Sequence, residues 1–250
     1  MRGTGVLNIA LVAKRIWNVS YVYDSHEMMP FRARKNGLFR MTCEAVLERM
    51  VIAFADRNYV VNRPIQRFYR HFYGSNHISV RPNNFYLPNV LTTRSDGPRL
   101  LLYIGTSNEH RGLGALRDLA KVSNTLLIMV LPACDLGLES GVTKIALAEY
   151  PEILPSLLEG TMPYMWCCFS SNILSYRYSL PNKFFQALAF GMPIIAGKGT
   201  YLAAIIDKYD IGFVFVDGAV SQMWNTSNYE RMTRNVIGLK KAIESGSVTV

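Results

Sequence analysis

The chain has 250 residues, of which 50% are hydrophobic and only 18% are charged. This composition supplies enough apolar surface for a sizeable core and excludes an intrinsically disordered protein. No apolar run reaches the ~18–20 residues that span a bilayer. The four cysteines have no zinc-ligand spacing and are expected to be free thiols, which favours a reducing cytoplasm.

The net charge of +9 is concentrated in the first part of the chain. Residues 1–92 hold 13 Lys and Arg against 5 Asp and Glu, a net charge of +8, whereas residues 93–250 hold 14 against 13. Such a basic segment favours an anionic partner: a membrane surface, a lipid pyrophosphate or a nucleic acid. A basic surface that is simply solvated is the alternative.

The first 92 residues predict two strands, at 19–23 and 58–61, and helices at 1–17, 41–54 and from Pro64 to Gly74. The helix at 41–54 has Ala45, Val46, Met50 and Phe54 among its apolar positions. In the helix that follows Pro64, apolar side chains recur with helical spacing, at Ile65, Phe68, Tyr69, Phe72 and Tyr73. The opposite face of that helix is basic, with Arg63, Arg67 and Arg70. Residues 81–98 contain three prolines and predict an interdomain linker.

From residue 100 onward, continuous apolar segments alternate with amphipathic ones. The predicted strands are 100–104, 126–131, 164–169, 193–196 and 213–216, with a short element at 144–150. The predicted helices are 111–122, 182–190, 201–209 and 228–244. This alternation predicts a parallel sheet that is covered by helices on both faces.

Two loops at predicted strand ends carry residues suited to a phosphate ligand. Residues 105–112 (GTSNEHRG) contain glycines that permit close backbone approach, and Arg111 lies at the predicted start of a helix. Residues 175–193 (SYRYSLPNKFFQALAFGMP) enter a helix through Pro181, which leaves backbone N–H groups available for a diphosphate. Gln186 lies one turn inside that helix, on the face with Asn182 and Lys183, where it can reach a ribose hydroxyl.

Residues 181–193 (PNKFFQALAFGMP) resemble the donor-binding signature of the retaining, family-four-like glycosyltransferases. Four further segments resemble the family in the same order: 23–27 (YDSHE), 55–61 (ADRNYVV), 87–90 (LPNV) and 103–105 with 111–112 (YIG…RG). The resemblance implies an α/β fold of the GT-B type. Residues 1–92 would form a partial Rossmann-like acceptor-side domain, and residues 93–250 a Rossmann-like nucleotide-sugar-binding domain.

The resemblance also implies roles for individual residues. Arg111 stands at the family's basic residue on the donor diphosphate, and His26 at its histidine facing the donor sugar. Gln186 stands where the family usually has a glutamate on the ribose. Tyr178 replaces the glutamate near the sugar, and Thr106 an arginine that often follows the glycine, here Gly105. Asn182 and Lys183 complete the predicted donor site. These departures lower the expected activity, since a neutral glutamine holds a hydroxyl less strongly than a carboxylate.

Alternatives remain for several of these residues. His26 beside Asp24 and Glu27 is also compatible with a paired surface histidine, and Lys183 with an ordinary cation near a helix start. The family's reaction needs no metal, and no second cluster of metal ligands accompanies Asp24 and Glu27, so we expect neither metal nor cofactor.

The family's acceptor domain normally has more strands before the segment matching residues 23–27. We therefore expect a glycosyltransferase, or a truncated or split part of one, that uses a nucleotide-sugar donor and a glycan or lipid-linked acceptor. Its expected location is the cytoplasm, with peripheral contact at the inner face of the membrane as an option. A non-catalytic donor-binding subunit, completed by a partner chain with the missing strands, is one alternative. A basic nucleic-acid-binding protein and a sugar-nucleotide epimerase are the others.

Overall fold

The computed structural model describes residues 12, 14–31, 37–83, 95–137, 139–216 and 224–250, which belong to two compact units. The first unit comprises Met1–Asn83, Asn172–Leu180 and Val250, and the second comprises Asn84–Ser171 and Pro181–Thr249. The predicted boundary at residue 92 lies outside the described residues, as does most of the helix predicted at 1–17. Of that helix, residues 12 and 14–17 are helical.

The first unit contains a three-stranded parallel sheet in the order β1-β2-β3. Its strands are β1 (Val22–Ser25), β2 (Arg57–Val60) and β3 (Ile78–Val80). Its helices are α1 (Leu38–Phe54), α2 (Arg63–Tyr73) and the short α5 (Leu174–Arg177). The strands predicted at 19–23 and 58–61 are shifted by a few residues, and β3 was not predicted because three residues are too few for a period to appear.

Helix α2 forms where Pro64 and Gly74 predicted it. The Asn62 side chain accepts a hydrogen bond from the Ile65 amide (3.0 Å), and Gly74 ends the helix with a φ of 68°. The Asn62 cap satisfies a backbone donor that the first helical turn leaves without a partner. Ile65, Tyr69 and Tyr73 are buried against the sheet, as their spacing predicted.

Helix α1 forms where it was predicted, but its buried face is not its apolar face. Glu48 is fully buried and Glu44 nearly so, beside Val51 and Ile52. The apolar positions Val46, Met50 and Phe54 are instead exposed. A helix with this distribution needs polar partners inside the fold, because a buried carboxylate without hydrogen bonds is strongly unfavourable.

Three tyrosine hydroxyls donate hydrogen bonds to the Glu48 carboxylate. Tyr23 of β1 (2.5 Å) and Tyr69 of α2 (2.7 Å) donate to Oε1, and Tyr73 of α2 donates to Oε2. Burial, followed by the charge of Glu48, raises the pKa of all three tyrosines, so they remain protonated donors. Ser25 extends the network with a 2.9 Å contact to the Tyr69 hydroxyl. The network joins β1, α1 and α2.

The second unit is built on a six-stranded parallel sheet in the order β6-β5-β4-β7-β8-β9. Its strands are β4 (Arg99–Ile104), β5 (Leu126–Leu131), β6 (Val142–Ala146), β7 (Met162–Cys167), β8 (Ile194–Gly197) and β9 (Gly212–Phe215). Its helices are α3 (Leu113–Val122), α4 (Tyr150–Leu158), α6 (Asn182–Phe190), α7 (Tyr201–Tyr209) and α8 (Thr226–Glu244). The predicted parallel α/β fold is confirmed, and helices α6 and α7 have the predicted bounds.

Two local predictions for this unit were wrong. The single element predicted at 144–150 is a strand followed by helix α4, which sequence periodicity missed because Pro151 and Pro155 interrupt its pattern. Helix α3 begins at Leu113 rather than at Arg111, which belongs to a preceding 3-10 turn, Glu109–Arg111. Within the described ranges, no helix is long and apolar enough to cross a membrane.

The strand order places a switch point between β4 and β7. From β4 the chain moves to β5 and β6 on one side, and then returns to β7 on the other. In open parallel sheets, the loops after two such strands leave in opposite directions, and ligands bind between them at the carboxyl ends of the strands.

Candidate functional site

The loop that follows β4 begins at Gly105, whose backbone conformation disfavours any side chain. Its φ is 144°, and a Cβ atom there would lie 2.9 Å from Lys183 Nζ and 3.3 Å from the Tyr103 hydroxyl. The Tyr103 hydroxyl donates a 2.6 Å hydrogen bond to the carbonyl of Thr106. Gly105 therefore lets the loop pass directly over the Lys183 ammonium group, and Tyr103 fixes the next turn of the loop.

Arg111 is held at the end of the same loop. Asn108 starts the 3-10 turn by accepting a hydrogen bond from the His110 amide (2.9 Å), and Gly112 ends it with a φ of 63°. The Trp166 indole N–H donates to the Arg111 carbonyl (3.1 Å). The guanidinium carbon lies 4.6 Å from the centre of the Phe169 ring, which follows β7. Arg111 is thus positioned by contacts with β7 and its loop.

Lys183, the second residue of α6, approaches the same aromatic ring. Its Nζ lies 5.4 Å from the centre of Phe169 and 4.9 Å from the centre of Tyr103, although the residue is only 7% exposed. Burial, and then repulsion by Arg111, lowers the pKa of Lys183 to about 7. Among the described residues no carboxylate forms an ion pair with Lys183, so its environment favours an added anion.

The start of helix α6 also suits an anion. Pro181 is its N-cap residue, and no described side chain caps the first turn. Asn182, the first helical residue, is exposed. Because backbone N–H groups and the helix dipole point outward at this end, a phosphate group here would receive hydrogen bonds and favourable electrostatics.

Gln186 has a partner that the sequence did not reveal. Its side chain is buried, and its Nε2 donates a 3.1 Å hydrogen bond to the hydroxyl of Tyr150, the first residue of α4. The predicted contact between Gln186 and a ribose hydroxyl remains a prediction. Tyr150 adds a second hydroxyl beside it.

The predicted site residues divide between the two units. Gly105 and Arg111 come together with Lys183 in the second unit, where Thr106, Asn182 and Gln186 also lie. His26 and Tyr178 belong to the first unit, although Tyr178 was assigned to the second domain from sequence. The imidazole of His26 is exposed just after β1, with Nε2 3.8 Å from Asp24 Oδ1. The carbonyl of Tyr178 accepts a hydrogen bond from Asn62 Nδ2 (2.7 Å), and its side chain packs on the first unit's core.

Aromatic residues at strand ends are the part of the site that sequence reasoning missed. Tyr103 and Trp166 are the penultimate residues of buried strands, and Phe169 follows one. An aromatic residue at the end of a buried strand was the available signal, but it is equally typical of core packing. Within the described residues, no group of His, Cys, Asp or Glu is arranged to hold a metal ion.

Comparisons with known proteins identify the fold. No family model and no curated protein matches the sequence. Sucrose-phosphate synthase from Thermosynechococcus elongatus is similar in structure, with a TM-score of 0.66, 13% identity, and coverage of 96% of this chain and 70% of that chain. Anabaena HepE in complex with UDP-glucose gives a TM-score of 0.67, 14% identity, and coverage of 96% and 72%. A mutant of S. aureus TarM in complex with fondaparinux, alpha-GlcNAc-glycerol and UDP gives 0.65, 11% identity, and coverage of 97% and 52%.

At these identities the similarity shows the fold and leaves the activity open. The predicted α/β architecture with parallel sheets is confirmed in both units. This chain has the GT-B fold found in glycosyltransferases.

Proposed function

We propose that the protein is a glycosyltransferase that binds a nucleotide-sugar donor in its second unit. The observation that carries the proposal is the convergence of Arg111 and Lys183 on the Phe169 ring, at the switch point of the sheet. Arg111 and Lys183 lie beside the same ring, and the buried Lys183 forms no ion pair with a described carboxylate, so this setting favours an anionic ligand. A donor diphosphate has the required charge and also suits the start of α6.

The proposed reaction transfers the sugar to a glycan or lipid-linked acceptor. The bond from the anomeric carbon to the diphosphate breaks, a bond from the acceptor oxygen to that carbon forms, and the acceptor proton passes to a diphosphate oxygen. Arg111 and Lys183 would stabilise the negative charge that develops on the leaving diphosphate. We further propose a retaining reaction without metal, with His26 facing the donor sugar as the family resemblance implies.

The complexes in which two structural neighbours were solved contain ligands of this kind. HepE was solved with UDP-glucose, and TarM with UDP and fondaparinux. By analogy we propose a nucleotide-sugar donor and a saccharide-bearing acceptor for this chain. Tyr178, Thr106 and Gln186 depart from the family pattern and would weaken donor binding, since each replaces a charged side chain by a neutral one.

Nucleoside diphosphate binding tests the donor site. In calorimetry with UDP, GDP and ADP, at least one should bind, and Arg111→Ala should weaken it by ~1.5–3 kcal/mol, the contribution of a hydrogen bond to a charged group. Arg231→Ala is the matched control, because Arg231 lies in the same unit and pairs with Asp210. Absence of binding by all three nucleotides at millimolar concentration would contradict the proposal.

A donor-binding subunit that acts with a partner chain is the second candidate function. The described part of the first unit has three strands, and Val22 of its edge strand β1 is exposed. In this alternative a partner chain adds strands at this edge and positions the acceptor, and correct acceptor placement contributes several kcal/mol to catalysis.

We therefore expect this 250-residue chain to bind donor but to transfer sugar slowly by itself. The measurement is release of UDP, GDP or ADP from the corresponding donor, with and without saccharide and lipid acceptors. Rapid turnover by the chain alone would show that its own residues form the acceptor site.

A cytoplasmic location and peripheral contact with the inner face of the membrane also remain proposals. They are supported by the free cysteines and by the net charge of +8 in residues 1–92. The nucleic-acid-binding alternative rests on that charge alone, and we do not propose it.

A further inference from the structure

Helix α1 carries a continuous apolar stripe on its outward face. Four large side chains are exposed there: Phe39 (83%), Val46 (56%), Met50 (45%) and Phe54 (55%). Their spacing of seven, four and four residues places them on one side of the helix, and the exposed Cys43 lies among them. The opposite side of the helix is buried and carries both carboxylates, Glu44 and Glu48.

Helix α2 packs beside α1 on the same face of the sheet. The two crossovers, β1 to β2 and β2 to β3, step in the same direction, and right-handed crossovers then place both helices on one face. The hydrogen bonds from Tyr69 and Tyr73 to Glu48 join the inner sides of the two helices. Their outer sides therefore form one layer.

The outer side of α2 is cationic. Arg63, Arg67 and Arg70 are exposed on it, opposite the buried Ile65, Tyr69 and Tyr73. Residues 1–83 contain 13 Lys and Arg against 5 Asp and Glu, and two of those five acids, Glu44 and Glu48, are buried. The apolar stripe of α1 thus lies in the same layer as a row of arginines, on a unit with a large positive charge.

From this arrangement we infer that the outer layer of α1 and α2 docks on an anionic lipid bilayer. An apolar helix face can enter the region between headgroups and acyl chains, while the arginines bind lipid phosphates. A protein partner would cover an apolar stripe but would not need the excess of positive charge, which favours lipid. This inference uses no residue of the proposed donor site and stands independently of it.

Vesicle sedimentation of the full chain tests the inference. We expect binding to phosphatidylcholine vesicles that contain ~30% phosphatidylglycerol, and little binding to pure phosphatidylcholine. Binding should weaken at high salt, because surface charges are already screened over ~10 Å at 0.1 M.

The double variant Met50→Ser, Phe54→Ser should lose about tenfold in affinity for the anionic vesicles. Arg63→Gln with Arg67→Gln should lose about 25-fold, since each surface cation contributes about fivefold. Arg70 is left unchanged because it also contacts the Ile78 carbonyl.

Matched control variants lie in the second unit. Val122→Ser with Leu126→Ser removes two exposed apolar residues, and Arg231→Gln with Arg234→Gln removes two exposed arginines. These controls should bind the vesicles as the unaltered chain does. Circular dichroism of each variant checks that the fold is retained, which is expected because every altered side chain is exposed.

The two exposed cysteines supply an independent measurement. An environment-sensitive fluorophore on Cys43 should shift to the blue with anionic vesicles, whereas the same fluorophore on Cys134 should not. Equal binding to neutral and anionic vesicles, or unchanged binding by the Met50 and Phe54 variant, would overturn the inference. So would a concentration-dependent dimer that this variant abolishes, without vesicle binding, since the stripe would then be a protein interface.

Discussion

Replacing Glu48 with alanine should lower the free energy of unfolding by roughly 3–5 kcal/mol. The substitution removes the acceptor for the hydroxyls of Tyr23, Tyr69 and Tyr73, all of which are buried. Each buried hydroxyl left without a partner costs about 1–3 kcal/mol, and relaxation around the small alanine recovers only part of the sum. Because the network joins β1, α1 and α2, the substitution should destabilise the whole first unit.

Urea denaturation followed by circular dichroism measures this effect. Glu48→Gln should cost less than Glu48→Ala, because the amide oxygen still accepts hydrogen bonds and the side-chain volume is retained. Glu44→Ala is the control on the same helix: its described hydrogen-bond partner is Arg40, whose side chain is about half exposed. If Glu48→Ala were no more destabilising than Glu44→Ala, the tyrosine network would not contribute to stability as inferred.

Helix α1 shows what the periodicity of a sequence can predict and what it cannot. The pattern predicted the helix at 41–54, and the structure has it at Leu38–Phe54. A period alone cannot reveal which face is buried when both faces contain suitable residues. The partners of Glu48 come from β1 and α2, more than 20 residues away on either side, so a pattern within the helix does not show them.

The geometry of the candidate site was predictable in part for a related reason. A glycine after a buried strand and a cation beside a helix start are local signals, and they selected Gly105, Arg111 and Lys183. The structure brings these three residues together, and their role in donor binding stays a prediction. The Phe169 ring that gathers the two cations, and the bond from Gln186 to Tyr150, depend on which strands are neighbours in the sheet. That order is a property of the fold, and sequence spacing does not contain it.

Nucleoside diphosphate binding should take up a proton above pH 7, and affinity should fall as the pH rises. In the free protein, the pKa of Lys183 is lowered to about 7, first by burial and then by Arg111. A bound diphosphate favours the charged ammonium and raises this pKa, because an opposite charge nearby stabilises the protonated form. At pH 8 most free protein therefore has a neutral Lys183, and binding must add a proton. Between the free and bound pKa values, affinity should fall about tenfold per pH unit.

Calorimetry at pH 8 in buffers of different ionisation enthalpy measures the protons taken up, and we expect up to about one per nucleotide bound. Lys183→Met removes the titrating group, so it should abolish this uptake and weaken binding at pH 7 by ~1.5–3 kcal/mol. Lys183→Arg keeps a charge that does not titrate, and should bind without the pH dependence if the longer side chain is accommodated. The terminal phosphate of the nucleotide has a pKa near 6, so at pH 8 it stays fully ionised and does not contribute to the proton uptake.

Arg111→Ala removes the neighbouring positive charge and should shift the pH dependence of binding to higher pH, because the pKa of Lys183 then rises. Equal proton uptake by the unaltered chain and by Lys183→Met would show that another group titrates, and would remove Lys183 from the proposed diphosphate site.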